Sequence, residues 1–159
     1  MSGHGAPTPG TVDGSGLIID IVASSWHPEI MDGLIAGATR VLEADQVTQR
    51  LVRVTGSFEL PIAAQGSFDS GADAVVALGV IIRGGTPHFE YVAAAATDGL
   101  SRVTLDSRRP IGFGLLTVDD EQQGLDRAGL PGSPEDKGAE AADAAVRTAL
   151  LLREMLNRA

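Results

Sequence analysis

Nine consecutive residues, Ala74–Ile82 (AVVALGVII), carry no polar side chain. That run is about half the length a membrane span needs, and a strand with one wet face would alternate polar and apolar residues. The segment therefore reads as a strand covered on both faces, the condition met in a parallel sheet with helices packed on each side. Leu17–Ala23 (LIIDIVA) is nearly as continuous. Leu51–Thr55 (LVRVT) and Ile111–Thr117 (IGFGLLT) complete four short apolar runs flanked by turn chemistry.

Helical patterns separate these runs. Pro28-Glu29 supplies a favourable first turn, and Ile30, Leu34 and Val41 recur at helical spacing until Asp45. Leu60–Phe68 is a shorter helix candidate. Thr86-Pro87 offers a cap and a proline at the first helical position, after which Val92, Ala95, Ala96 and Val103 mark one face. A last helix is expected from near Glu135, with Ala142, Val146, Ala149 and Leu150 as its spine. Strands alternating with helices predict an α/β domain, and right-handed crossovers place helices on both faces of the sheet. The last helix adds Leu151, Leu152 and Leu156 to its spine and reads as apolar nearly all round, which predicts that part of it meets another subunit.

With 159 residues and no internal repeat, the chain is expected to form one domain over 17–159 behind a flexible tail over 1–16. The tail is rich in Gly and Pro and lacks the basic start and apolar stretch of a signal peptide, so a cytoplasmic location is expected. The absence of Cys excludes a disulfide scaffold, a thiolate metal site and a cysteine nucleophile together. A net charge of −9 argues against a nucleic-acid binder, although a few local cations would still suffice for a small anion. No metal is expected, since no histidines stand at ligand spacing.

Ligands in parallel α/β sheets bind outside the carboxyl ends of the strands. That rule selects four segments. After the third run, Arg83-Gly84-Gly85-Thr86-Pro87-His88 joins a buried strand to a helix through two glycines. Free N–H groups at such a helix start favour an anion, so Gly85 and Thr86 are candidates to cradle a phosphate. His88 falls in the first turn, where the helix dipole favours the neutral, basic imidazole. On these residues alone, an ordinary loop with a surface histidine fits equally well. After the second run, Gly56-Ser57-Phe58-Glu59-Leu60-Pro61 places a carboxylate where it could accept from ligand hydroxyls, or simply satisfy a helix start. Trp26 follows the first run and offers a stacking face for a planar heterocycle. Phe113 stands between two glycines in the fourth run. Arg127 and Lys137, the only lysine, flank a Pro/Gly-rich loop; each is otherwise an ordinary surface charge.

These blocks occur in a familiar order: ASSWHPEI, GSFELPIAAQ, ALGVIIRGGTPHFEYV, PIGFGLLTVDDEQQGLDRAG and EDKGAEAA. From about Leu17 to about Leu156 the sequence resembles the 6,7-dimethyl-8-ribityllumazine synthases of riboflavin biosynthesis. The resemblance implies a flavodoxin-like, three-layer αβα sandwich with a mainly four-stranded parallel sheet. It implies a cofactor-free condensation of 5-amino-6-(D-ribitylamino)uracil with 3,4-dihydroxy-2-butanone 4-phosphate, the penultimate step of the pathway. By analogy, Trp26 stacks on the pyrimidine, Ser57, Phe58 and Glu59 contact ring and ribityl chain, and Val80, Ile81 and Ile82 hold the heterocycle. Gly85, Thr86 and Arg127 match the phosphate site, with Lys137 beside them. His88 matches the proton-transfer residue, and Phe113 matches a residue reaching the pyrimidine pocket of an adjacent subunit.

Three departures stand out. Gly85 replaces a frequent Ala, Trp26 a frequent Phe, and the loop Gly129–Gly138 is longer and richer in proline than in shell-forming relatives. The loop favours a homopentamer over a 60-subunit shell. Two other readings remain for this fold, a non-catalytic flavin- or lumazine-binding protein and a shell-forming structural protein.

Overall fold

A computed structural model of the chain describes residues 10–158. Strands β1 (Ile18–Ala23), β2 (Thr48–Arg53), β3 (Ala74–Ile82) and β4 (Ile111–Val118) form one sheet in the order β2-β1-β3-β4. Every neighbouring pair is parallel. Helices α1 (Pro28–Ala44), α2 (Leu60–Asp69), α3 (His88–Ser107) and α5 (Lys137–Asn157) cover it, with a short α4 (Glu121–Leu125) after β4. This is the expected three-layer α/β architecture.

The continuous apolar run of β3 is explained by its two faces. Ala74, Val76, Leu78 and Val80 join the core beneath α1 and α5, whereas Val75 and Ala77 join the core beneath α2 and α3. Small residues bring the helices close. A Cβ on Gly112 of β4 would lie 2.0 Å from the Ala141 carbonyl oxygen of α5, and one on Gly138 of α5 would lie 2.0 Å from the Leu34 carbonyl oxygen of α1. No larger residue fits at either contact.

Some boundaries differ from expectation. The second strand begins at Thr48 and ends at Arg53, not over Leu51–Thr55. It is an edge strand with Leu51 exposed, so its hydrogen-bonded span does not follow its apolar run. Its polar start is held by Thr48 N–H donating to Leu17 and by Arg50, whose Nε donates to Asp20 Oδ1 at 2.6 Å. Helix α3 begins at His88, with Pro87 as a cap that offers no side-chain acceptor, so Thr86 is not the cap. Helix α5 begins at Lys137 because the Asp136 carboxylate accepts from Ala139 N–H.

Nor is α5 apolar all round. Ala141, Ala142, Ala145, Val146 and Ala149 are buried, whereas Glu140, Arg147, Arg153 and Glu154 lie outside that buried set. Leu151 and Leu156 remain exposed near its end.

The segment expected as a tail is anchored from its second half onward. Val12 N–H donates to the Asp45 carboxylate, Gly14 N–H donates to the Asp45 carbonyl, and Val12 packs on the core. Residues 1–9 of that expected tail lie outside the described residues.

Candidate active site

The carboxyl ends of β1 and β3, the turn after β2 and the start of α3 surround a cavity of about 300 Å³. Trp26 lines it from the segment after β1, with 64% of its surface exposed. Ser57 and Phe58 line it from the 3-10 turn Ser57–Glu59, and Gly56 from the residue that precedes it. Val80, Ile81 and Ile82 line it from the last residues of β3, and His88 from the first residue of α3. Seven of the expected site residues (Trp26, Ser57, Phe58, Val80, Ile81, Ile82 and His88) are thus brought together around one cavity.

Local chemistry explains the shape. Glu59 Oε2 accepts from Gly56 N–H at 2.8 Å, which closes the 3-10 turn and presents Ser57 and Phe58 to the cavity. Glu59 itself does not line the cavity. Pro at the start of α2 then fixes where the turn becomes helix. Trp26 and Phe58 offer two exposed aromatic faces beside the apolar strand end, suited to a flat heterocycle.

Gly85 and Thr86 are exposed in the turn between β3 and α3, and nothing lies within 4 Å of a Cβ built on Gly84 or Gly85. The turn is open to an anion approaching the helix start. His88 stands at that start, between the turn and the apolar floor.

Three expected site residues lie elsewhere in the chain. Phe113, half exposed, lines a second cavity with Leu100, Thr104 and Leu105. It pairs with Ala77, well before the carboxyl end of β4. Arg127 donates from NH1 to the Gln123 carbonyl, and its own carbonyl accepts from Lys137 N–H. Lys137 Nζ lies 2.6 Å from Glu135 Oε2 and 2.8 Å from Glu140 Oε2. Burial alone would lower its pKa, but the ion pair with Glu135 and the hydrogen bonds to Glu140 raise it above the ordinary value. Conversely, the adjacent Lys137 ammonium holds the Glu135 carboxyl below its usual range, against burial. None of Phe113, Arg127 and Lys137 lines the His88 cavity.

His27 and Gly56 fall in the segments that the strand-end rule selects but are given no role in the sequence, and Val92 lies outside those segments. His27 takes the left-handed conformation, with φ 55°, as the residue before α1. Nothing in the sequence marks that conformation. Val92 lies four residues after His88 in α3, a spacing that does put both on one helical face. Among the described residues, no cluster of three His, Asp or Glu side chains is arranged to hold a metal ion.

Residues 16–153 match the family model of 6,7-dimethyl-8-ribityllumazine synthase. The chain belongs to the 6,7-dimethyl-8-ribityllumazine synthase family. The lumazine synthase of Clavibacter michiganensis subsp. michiganensis is 68% identical over 98% of this chain and 98% of its own length. That of Leifsonia xyli is 65% identical over 98% of this chain and 99% of its own. A third, from Nocardioides, is 59% identical over 98% of this chain and 97% of its own. The lumazine synthase match therefore spans the whole sheet and every element around the cavity.

Proposed function

We propose that this chain catalyses the condensation of 5-amino-6-(D-ribitylamino)uracil with 3,4-dihydroxy-2-butanone 4-phosphate to 6,7-dimethyl-8-ribityllumazine. Family membership makes it an enzyme of the transferase class in riboflavin biosynthesis. The observation that carries the residue assignments is the convergence of Trp26, Ser57, Phe58, the end of β3 and His88 on one cavity.

In this reading the pyrimidine stacks against Trp26 and contacts Ser57, Phe58 and the strand-end groups of Val80, Ile81 and Ile82. The ribityl chain extends past this cavity to Glu59, whose Oε1, left free by Gly56, accepts from its hydroxyls. The 5-amino group attacks the ketone, and loss of water leaves an imine. Proton removal from the adjacent carbon then expels phosphate, and the ribityl-bearing nitrogen closes the second ring with loss of a further water. His88 moves protons in these steps. Gly85 and Thr86 receive the phosphate at the start of α3, and a guanidinium and an ammonium from Arg127 and Lys137 complete the clamp. Much of the rate comes from holding two substrates in register.

Arg127, Lys137 and Phe113 do not line the cavity of their own chain. Their assignment therefore requires a neighbouring copy to supply them, which supports active sites at subunit interfaces. The fuller reading is a cytoplasmic homopentamer, with residues 17–159 acting as one catalytic domain. No helix of the described residues is long and apolar enough to cross a membrane, which accords with that reading.

The deciding experiment mixes both substrates with the purified chain and follows the absorbance of the lumazine. A rate above the uncatalysed background is expected, and none would overturn the assignment. Light scattering is expected to give the mass of a pentamer. A megadalton particle would overturn that state.

A further inference from the structure

Arg83 is the first residue past β3, and it does not line the cavity. Its N–H donates to the Val118 carbonyl at 2.9 Å, so its backbone continues the β3–β4 ladder one step beyond the strand. The guanidinium then makes three contacts that converge from different elements. Nε donates to Asp119 Oδ1 at 2.9 Å, beyond the end of β4. NH1 donates to Glu90 Oε1, in the first turn of α3. Cζ stands 4.1 Å from the ring centroid of Phe89, the residue next to His88. Asp119 is itself tied down, its N–H donating to Gln123 Oε1 of α4.

The segment these contacts bridge has little else to hold it. No atom approaches the side-chain positions of Gly84 or Gly85, and the start of α3 has no side-chain cap. Glycines leave the backbone its full range of conformations. The side-chain contacts that tie this turn to the end of the sheet are those of Arg83. Each of these exposed ion pairs contributes little to stability alone. One planar guanidinium shared by two carboxylates and an aromatic face nevertheless fixes an orientation that no single pair would. Arg83 also holds the Glu90 carboxyl below its ordinary range, chiefly through their hydrogen bond.

We infer that Arg83 is a positioning residue, clamping the first turn of α3 so that His88 faces the cavity. This rests on the proton-transfer role proposed for His88.

The test is Arg83→Met, which keeps an unbranched stem and removes the fork, assayed alone and in a His88→Ala background. With His88 present, kcat is expected to fall about fivefold or more, while KM for both substrates stays within about twofold. In the His88→Ala background no further loss is expected, because there is no imidazole left to place. Arg83→Lys is expected to recover part of the loss by pairing with one carboxylate. An unchanged kcat with His88 present, or the same fold-loss in both backgrounds, would overturn the inference. A readout independent of turnover is the carbon-bound Cε1 proton signal of His88, assigned by its disappearance in His88→Ala. Arg83→Met is expected to shift or split it while leaving the His27 signal in place; an unmoved His88 signal would also overturn the inference. Should Arg83→Met fail to fold, Glu90→Gln with Asp119→Asn removes the same clamp and carries the same expectations. If the unsubstituted chain shows no condensation, the proposed reaction fails, and the His88 signal still decides the clamp.

Discussion

The hydroxyl of Ser57 stands directly over Gly79: a Cβ on that glycine would lie 2.8 Å from Ser57 Oγ. It would also lie 2.9 Å from Leu115 Cδ1 and 3.2 Å from Leu60 Cδ1. The missing side chain at position 79 thus makes room for a residue of the cavity wall. Gly79→Ala is expected to destabilise the chain by about 1–3 kcal/mol, since Leu115 and Leu60 cannot both withdraw. It should also weaken binding of the ribitylaminouracil by displacing Ser57. Thermal melts and calorimetric titration of that substrate test the two effects separately. An unchanged affinity would detach Ser57 from the pyrimidine site.

Trp26 is the only tryptophan and lies largely in solvent, so its loss should barely affect folding. Trp26→Ala is expected to raise KM for the ribitylaminouracil about tenfold, and Trp26→Phe much less, because both aromatic rings stack. Binding of the pyrimidine substrate should quench the fluorescence of the native indole. Fluorescence that ignores saturating substrate would place the ring elsewhere.

His88 and Arg127 should separate kinetically. His88→Ala is expected to reduce kcat on the order of 10- to 100-fold yet leave measurable turnover, because juxtaposing the substrates carries much of the rate. Arg127→Ala is expected to raise KM for the butanone phosphate roughly 10- to 100-fold, the scale of a lost charge-assisted hydrogen bond. Steady-state kinetics with each substrate varied in turn checks both. A KM for the phosphate substrate that did not move would remove Arg127 from the clamp.

The Glu135–Lys137 pair makes stability depend on pH in a defined direction. Glu135 Oε2 is sealed from solvent beside Lys137 Nζ, and its carboxyl is held below its ordinary value of 4.5. The folded chain therefore resists protonation there more than the unfolded chain does. The resulting stabilisation is fully present above about pH 4.5 and is lost as pH falls through the lower folded value. Lys137, raised above 10.5, gives the mirror effect, present below that value and lost as pH rises past the folded one. Melting temperatures between about pH 3 and 6 should show a shallower decline in Glu135→Gln. Parallel curves for the two proteins would remove the pair as the source.

Legibility in the sequence followed burial. The bounds of β3 are those of its apolar run because both faces are covered, and β4 exceeds its run by one residue. The edge strand β2 starts ahead of its apolar run because Thr48, Gln49 and Arg50 carry no apolar signal, although Arg50 closes over the buried Asp20. Two short elements, Ser57–Glu59 and α4, are below the length at which periodicity shows. For α4 the available signal was Asp120, which accepts from Gln123 N–H. The cavity that Trp26, Ser57, Phe58 and His88 share follows from the strand ends, which can be read from the strands. Phe113 stands near the start of β4, away from the strand ends, whereas the positions of Arg127 and Lys137 follow from how the loop after α4 returns across the fold, which no strand end marks.

The alternation of β3 between two cores has a thermodynamic corollary. Val76 and Leu78 belong to one helical layer, and Val75 and Ala77 to the other, on a single stretch of backbone. Neither layer can lose its packing without uncovering the strand on which the other rests. The amides of β3 should therefore exchange with solvent only through whole-chain opening, at one common free energy. Both helical layers should melt in the same transition.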